Sequence, residues 1–279
     1  MATARLPDPQ APAELAALAS SVAQEAAGLL VTRYGRVGVV STKSSPTDVV
    51  TEMDHAAEDL IRDRLLAARP GDIVLGEEGG QIGAGDGVRW VVDPLDGTVN
   101  YLYGQPDWAV SIAAEVGGVI VAGAVSVPLR RCLFTAFQGG GAWLESAWQP
   151  GRRRLACNSA VPLSGALIAT GFGYGARQRA GQGRIVAAVL PRVRDIRRCG
   201  SAALDLCSVA AGQVDGYYEQ GLNYWDMAAG ALIAREAGAM TGGLQGAAPG
   251  TAMTIAAGPG LFAELHELLA SLDPEAMPG

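Results

Sequence analysis

The sequence predicts a mixed α and β fold, with an antiparallel-rich first half and a second half in which strands and helices alternate. Three observations carry that expectation. Between Trp108 and Leu144, short apolar runs follow one another across tight turns containing Gly or Pro, the pattern of an antiparallel meander. From Leu167 onward, apolar runs of strand length alternate with stretches of helical spacing, the pattern of α/β units. Ahead of both lie two stretches whose apolar residues recur every three or four positions.

In chain order, residues 13–33 are Ala- and Leu-rich and read as a helix stopped at Gly35. Residues 37–43 read as a short strand, Ser44-Ser45-Pro46 as a turn, and Asp48 to Thr51 as extended chain. A second helix over 54–68 places Ala57, Leu60, Ile61 and Leu65 on one face and ends at Pro70-Gly71. Ile73-Val74-Leu75 is a strand delivering Gly76-Glu77-Glu78, and the Gly-rich segment 79–87 reads as a mobile loop. Trp90-Val91-Val92 ends another strand, after which Asp93-Pro94-Leu95-Asp96-Gly97 carries the residues of a turn. Strands follow at 108–116, 119–127, 132–137 and 142–144, with Gly117-Gly118 marking a hairpin. The second half offers strands at 167–170, 195–198, 214–219 and 251–257, and helices at 178–190, 201–211, 225–237 and 259–271. A boundary near 145–155 divides the chain into 1–150, α+β, and 151–279, α/β.

Composition narrows the function. Of 279 residues, 49% are hydrophobic and 18% charged, which suits a folded protein with a sizeable core. A net charge of −7 counts against a nucleic-acid binder. Cys132, Cys157, Cys199 and Cys207 are scattered with no CxxC pair and read as small core residues. His55 and His266 are the only histidines, which counts against a His-based relay or a His-rich metal cage and points the chemistry to carboxylates. The first residues show no apolar core of a signal peptide, and no uninterrupted apolar run reaches membrane-spanning length. A cytoplasmic protein is the expectation.

The acidic residues share one placement: each sits where a regular element begins or ends. Glu77 and Glu78 follow a strand, Asp93 and Asp96 follow another, and Asp54 and Asp226 open helices. Singly, each has an ordinary explanation as turn chemistry or as a helix N-terminal carboxylate. Together they lie beside bulky apolar runs, where clustered carboxylates repel unless cations neutralise them. Hard oxygen ligands on rigid supports suit Mg²⁺, which prefers few carboxylates, several waters and phosphate oxygens. A bend at 93–97 lets Asp93, Asp96 and the Leu95 carbonyl face one pocket, with the Thr98 hydroxyl at its rim.

Here a resemblance enters. DPLDGTVNY, from Asp93 to Tyr101, resembles a signature of the inositol monophosphatase family, and WDMAAGALIAREAG, from Trp225 to Gly238, resembles its second. KSSPTDVVTEMD (43–54), LGEEGG (75–80) and GSAALDLCSVAAGQVDGYYE (200–219) match in the same order and extend the resemblance over most of the chain. Tyr101 stands where the family has Phe, and the loop at 79–87 is not a signature element. The resemblance implies a layered α-β-α-β-α sandwich of the sugar-phosphatase type. It implies one Mg²⁺ on Glu77, Asp93 and the Leu95 carbonyl, a second on Asp93, Asp96 and Asp226, and a weaker third at Glu77. Catalytic roles fall to Thr98 and Asp54, which would orient the attacking water, and to Glu77. Gly97 and Thr98 would meet the phosphate through backbone amides, while Glu219 and Gly200-Ser201-Ala202 would contact substrate hydroxyls.

The implied reaction is Mg²⁺-dependent hydrolysis of a phosphorylated polyol or sugar. Inositol 1-phosphate is favoured because YYEQG resembles the inositol enzymes most, with Glu219 able to accept hydrogen bonds from ring hydroxyls. Fructose 1,6-bisphosphate, histidinol phosphate and 3′-phosphoadenosine phosphates are the alternatives. A homodimer and inhibition by lithium follow from the same resemblance. Two other readings stay open. Gly171 to Ala176 fits a G-x-G-x-x-A dinucleotide template between a strand and a helix, though a short glycine pattern also serves as an ordinary connection. Arg192, Arg194, Arg197 and Arg198 form a basic run, an ordinary helix-to-strand edge or dimer contact in one reading and a contact for the transcription machinery in the other.

Overall fold

A computed structural model of the chain describes residues 10–36, 38–42, 49–85 and 87–272. Val37, the turn expected at Ser44-Ser45-Pro46, and the Lys43 to Asp48 part of the third motif lie outside the described residues.

Helices α1 (Gln10–Arg33) and α2 (Glu52–Ala68) cover one face of an eight-stranded sheet, with the small two-stranded ribbon of β1 (Val39–Thr42) and β2 (Val49–Thr51) between them in sequence. That sheet comprises β3 (Ile73–Gly76), β4 (Gly80–Ile82), β5 (Arg89–Asp96), β6 (Ala109–Val116), β7 (Val119–Val127), β8 (Cys132–Phe137), β9 (Gly141–Ser146) and β10 (Gln149–Arg154). Its order is β10-β9-β8-β7-β6-β5-β3-β4, with only β3 and β5 parallel. Gly117 and Gly118 both take positive φ, 58° and 81°, as a tight hairpin between β6 and β7 demands.

The second sheet is five-stranded, in the order β12 (Asp195–Arg197), β11 (Leu167–Thr170), β13 (Gly216–Glu219), β15 (Thr254–Ala257), β14 (Met240–Gly242). Helices α5 (Ala202–Ala210) and α6 (Tyr224–Glu236) fill the space between the two sheets. Helices α4 (Ala176–Val189) and α7 (Pro259–Ser271) cover the outer face of the second. The short α3 (Thr98–Leu102) follows β5. The layers therefore run α, β, α, β, α.

Alternation along the strands builds this stack. Trp90 and Val92 of β5 join the core under α1 and α2, while Val91 between them joins the core with α5 and α6. Helices α5 and α6 are sandwiched, so they are apolar nearly all round: Leu204 and Cys207 pack toward the first sheet, Leu206 and Val209 toward the second. Helix α1 has the length and hydropathy of a membrane span, yet Leu15, Ala19, Val22, Ala26 and Leu30 are buried against the first sheet. Tyr101 uses the hydroxyl that Phe would lack to bond the Leu30 carbonyl at 2.7 Å, and its ring meets Trp108 edge-on at 5.1 Å.

Four strands depart from the sequence reading. Residues 80–82, read as part of a mobile loop, form edge strand β4, with Val74 opposite Ile82. Strands β10 and β14 were not expected, because both are polar or Gly-containing edge strands without apolar alternation. Strand β5 does not stop at Val92. It continues to Asp96 through a bulge, since Asp93 pairs with Ser111 and Asp96 with Ala109, so the bend is a distortion of a strand and the reversal comes at Gly97.

Candidate active site

The bulge answers how two carboxylates three residues apart come to share a pocket. In a regular strand, positions i and i+3 point to opposite faces. One extra residue between Asp93 and Asp96 cancels that offset, and both line a cleft of about 440 Å³. The Leu95 N–H donates to Asp93 Oδ1 at 3.0 Å and holds the bulge closed. Gly97 then takes φ +95°, and a Cβ there would lie 3.1 Å from the carbonyl oxygens of Asp107 and Gly200. Only glycine fits both demands.

The cleft gathers residues from both sheets. Glu77 comes from the turn after β3, Asp93, Leu95 and Asp96 from β5, and Asp226 from the first turn of α6. Gly97 and Thr98 lie at the start of α3, Gly200 and Ala202 at the start of α5, and Glu219 at the end of β13. Asp54 and Ser201 stand behind the wall, 1% exposed each. Asp54 reaches the cleft through Thr98, whose hydroxyl lies 2.9 Å from Asp54 Oδ1 and 3.0 Å from the Leu95 carbonyl. Ser201 donates to Asp96 Oδ2 at 2.7 Å, and the Ala203 N–H reaches the same oxygen at 2.7 Å. Asp96 thus caps α5 and ties the first sheet to the helical layer between the sheets.

The ordinary and the chemical readings of Asp54 and Asp226 hold together. Each is the third residue of its helix and closes a capping box, Asp54 Oδ2 accepting from the Thr51 N–H at 2.8 Å and Asp226 Oδ2 from the Asn223 N–H at 2.7 Å. Capping occupies one oxygen of Asp226 on the helix side.

Electrostatics sets these carboxylates apart. Burial pushes Asp93 well above the usual carboxylate range, and Glu77, Asp96 and Asp226 push it further. Asp226 is raised in the same way, by burial first and then by Asp96 and Glu77. Burial raises Asp96 to about 6, held down by its bonds from Ser201, Ala203 and Ala202. Glu219 is raised by burial to about 7, against the bond it accepts from the Tyr217 hydroxyl at 2.7 Å.

Among the described residues, no three His, Cys, Asp or Glu side chains close on one point as a ready-made metal cage. The donor set nonetheless fits Mg²⁺, which takes few carboxylates and keeps positions for water and phosphate oxygens. A divalent cation would also relieve the repulsion that adds to burial in raising Asp93 and Asp226.

Two stretches that the sequence offers for other roles, the basic run and the glycine template, supply residues of the cleft. Arg198 lines it, while Arg197 pairs with Asp195 at 2.6 Å and Arg194 bonds the Gly165 carbonyl at 2.8 Å, so the basic run does not act as one patch. Gly171, Phe172, Gly173, Tyr174 and Gly175 form the wall between β11 and α4. A Cβ on Gly171 would fall 2.0 Å from Glu219 Oε2, so this glycine makes room for a carboxylate.

The model of the inositol monophosphatase family matches residues 11–276. The chain belongs to the inositol monophosphatase family. It is an enzyme of that family, a phosphoric monoester hydrolase. An inositol-1-monophosphatase of Mycobacterium bovis is 49% identical over 277 residues, covering 94% of each chain. The solved structure of Mycobacterium tuberculosis SuhB superposes with a TM-score of 0.81 at 47% identity, over 94% of this chain and 98% of that one. A protein of Escherichia coli named Nus factor SuhB is 40% identical over 232 residues, covering 82% of this chain and 85% of its own. The inositol monophosphatase fold is shared with a Thermotoga maritima enzyme at TM-score 0.81 and 29% identity, over 91% of this chain and 96% of that one.

Proposed function

We propose that this protein hydrolyses phosphate monoesters of polyols with Mg²⁺, inositol 1-phosphate foremost. The observation that carries the reading is the meeting of Glu77, Asp93, Asp96 and Asp226 in one cleft with Gly97 and Thr98. Glu77, Asp93 and the Leu95 carbonyl would hold one Mg²⁺, and Asp93, Asp96 and Asp226 a second, with a weaker third at Glu77. Bound there, the ions supply charge stabilisation at the phosphoryl and leaving oxygens and lower the pKa of water. The Thr98 hydroxyl, held by Asp54, orients the water that attacks phosphorus in line with the departing ester oxygen. The Gly97 and Thr98 amides face the phosphate. Glu219 lines the same cleft and accepts hydrogen bonds from substrate hydroxyls. The curated name of the 49% identical mycobacterial relative supports inositol 1-phosphate over the alternatives.

The same reading includes a homodimer, sensitivity to lithium, and a division of the chain into 1–150 and 151–279. It also includes a cytoplasmic location, which suits four free cysteines. The test is phosphate release by the purified protein, with and without Mg²⁺, from inositol 1-phosphate, fructose 1,6-bisphosphate, histidinol phosphate and 3′-phosphoadenosine phosphates. Turnover of inositol 1-phosphate no faster than of every other ester would overturn the substrate assignment. No Mg²⁺-dependent release from any of them would overturn the activity.

A second reading rests on the relatives named Nus factor SuhB in Escherichia coli and Vibrio cholerae. In it the chain also binds the transcription machinery. Full rescue of a deletion strain by an inactive Asp93→Asn protein would favour that role over hydrolysis.

A further inference from the structure

Glu58 lies one helical turn after Asp54 on α2 and is 3% exposed. Its carboxylate spans the turn that follows β3: Oε2 accepts the Glu78 N–H at 2.8 Å, and Oε1 accepts the Gly79 N–H at 2.6 Å. The approach leaves no room for side chains, since a Cβ on Gly76 would come 2.4 Å from the Glu58 carboxyl carbon and one on Gly79 2.7 Å from Oε1. Glu58 itself does not line the cleft, but Glu77, between those glycines, does.

We propose that Glu58 is a positioning residue that aims Glu77 into the cleft and so sets the affinity of the cation site. The inference rests on the Mg²⁺ reading above. The Glu78 N–H belongs to the peptide unit that begins at the Glu77 carbonyl, so pinning it fixes the Glu77 ψ angle and the direction of its side chain. A buried carboxylate is costly unless its oxygens are used, and here both accept successive backbone amides. A neutral amide has one acceptor and would set its NH₂ against the other N–H. Asp54, four residues earlier on the same helix face, holds Thr98. One face of α2 thereby sets both the water-orienting hydroxyl and the Glu77 turn, and keeps their separation constant.

Magnesium titration calorimetry on the full chain tests this, with Glu58→Gln, Glu58→Asp and Glu58→Ala beside wild type. All three variants are expected to bind Mg²⁺ ~10–100-fold more weakly, the usual effect of removing a group that orients a metal ligand. Their KM for the phosphate ester at saturating Mg²⁺ is expected to stay at the wild-type value. Hydrogen exchange is expected to speed up at 77–79 in Glu58→Gln, with α2 still protected. Glu58→Asp keeps the charge and loses the reach, so wild-type Mg²⁺ affinity in that variant would assign the effect to charge and overturn the positioning role. Wild-type affinity in all three, or faster exchange along the whole of α2, would overturn it as well. A wild-type protein that binds no Mg²⁺ would overturn the cation reading and this inference together, which separates the two failures.

Discussion

The Thr98 hydroxyl sits 2.9 Å from Asp54 Oδ1, joining the first turn of α3 to the first turn of α2 across 44 residues of sequence. Asp54 is 1% exposed and also receives the Thr51 amide and hydroxyl, so it is a fixed acceptor, raised above the usual carboxylate range by burial despite those bonds. Thr98→Ala removes the group presented to water and leaves the cap of α2 intact. Turnover is expected to fall ~10²-fold or more, the ordinary worth of a positioned proton-handling group, with KM little changed. Steady-state phosphate release at saturating Mg²⁺ measures this, and near wild-type turnover would remove Thr98 from the mechanism.

Asp96 serves two structures at once. It faces the cleft, and it accepts from Ser201 Oγ and the Ala203 N–H at the start of α5. Asp96→Asn keeps the shape and loses the charge. Its turnover is expected to drop ~10²–10³-fold, as when a preorganised electrostatic contact is deleted. The weakened cap is expected to cost ~0.5–2 kcal/mol in denaturant unfolding. A variant that loses stability while keeping Mg²⁺-dependent activity would reduce Asp96 to a structural link.

Gly97→Ala tests the bulge and reversal. The residue takes φ +95°, and the new methyl would meet two carbonyl oxygens at 3.1 Å. Strain at such a position costs on the order of 1–3 kcal/mol, so the melting temperature is expected to fall and activity with it. An alanine variant with unchanged melting and turnover would mean that the chain can reverse differently here.

The pH dependence of stability follows from the raised carboxylates. Burial raises Asp96 to about 6 and Glu219 to about 7 in the folded protein, and Asp93 and Asp226 are also raised, burial being the largest cause for each. Such groups hold more protons folded than unfolded between their ordinary and their raised values, so stability falls as pH rises through that window. Melting in the presence of a chelator is therefore expected to be higher at about pH 5 than at about pH 8, by ~2–4 °C for each kcal/mol involved. Added Mg²⁺ is expected to stabilise the protein more at the higher pH, where the carboxylates are ionised and accept it. Equal Mg²⁺ stabilisation at both pH values would show that these groups are not its ligands.

Local pattern determined a good deal of this. The period of the apolar residues is enough to find α1, α2, α4 and α7 and the strands of the meander, because each buries a face that repeats with its own geometry. The turn chemistry around Asp93 and Asp96, and the acidic residues at the starts of α2 and α6, are also visible in sequence, since chemistry at element ends departs from that period. Edge strands β4, β10 and β14 are not visible: each has a neighbour on one side only and needs no apolar alternation. Nor is the bulge, which depends on how Asp93 and Asp96 register against Ser111 and Ala109. Tertiary structure alone decided that Ser201 turns to Asp96 across 105 residues, that Arg198 leaves its basic neighbours for the cleft, and that Glu58 holds the turn of Glu77. Those contacts are made between layers, and their partners are chosen by which faces the sheets and helices bury against one another.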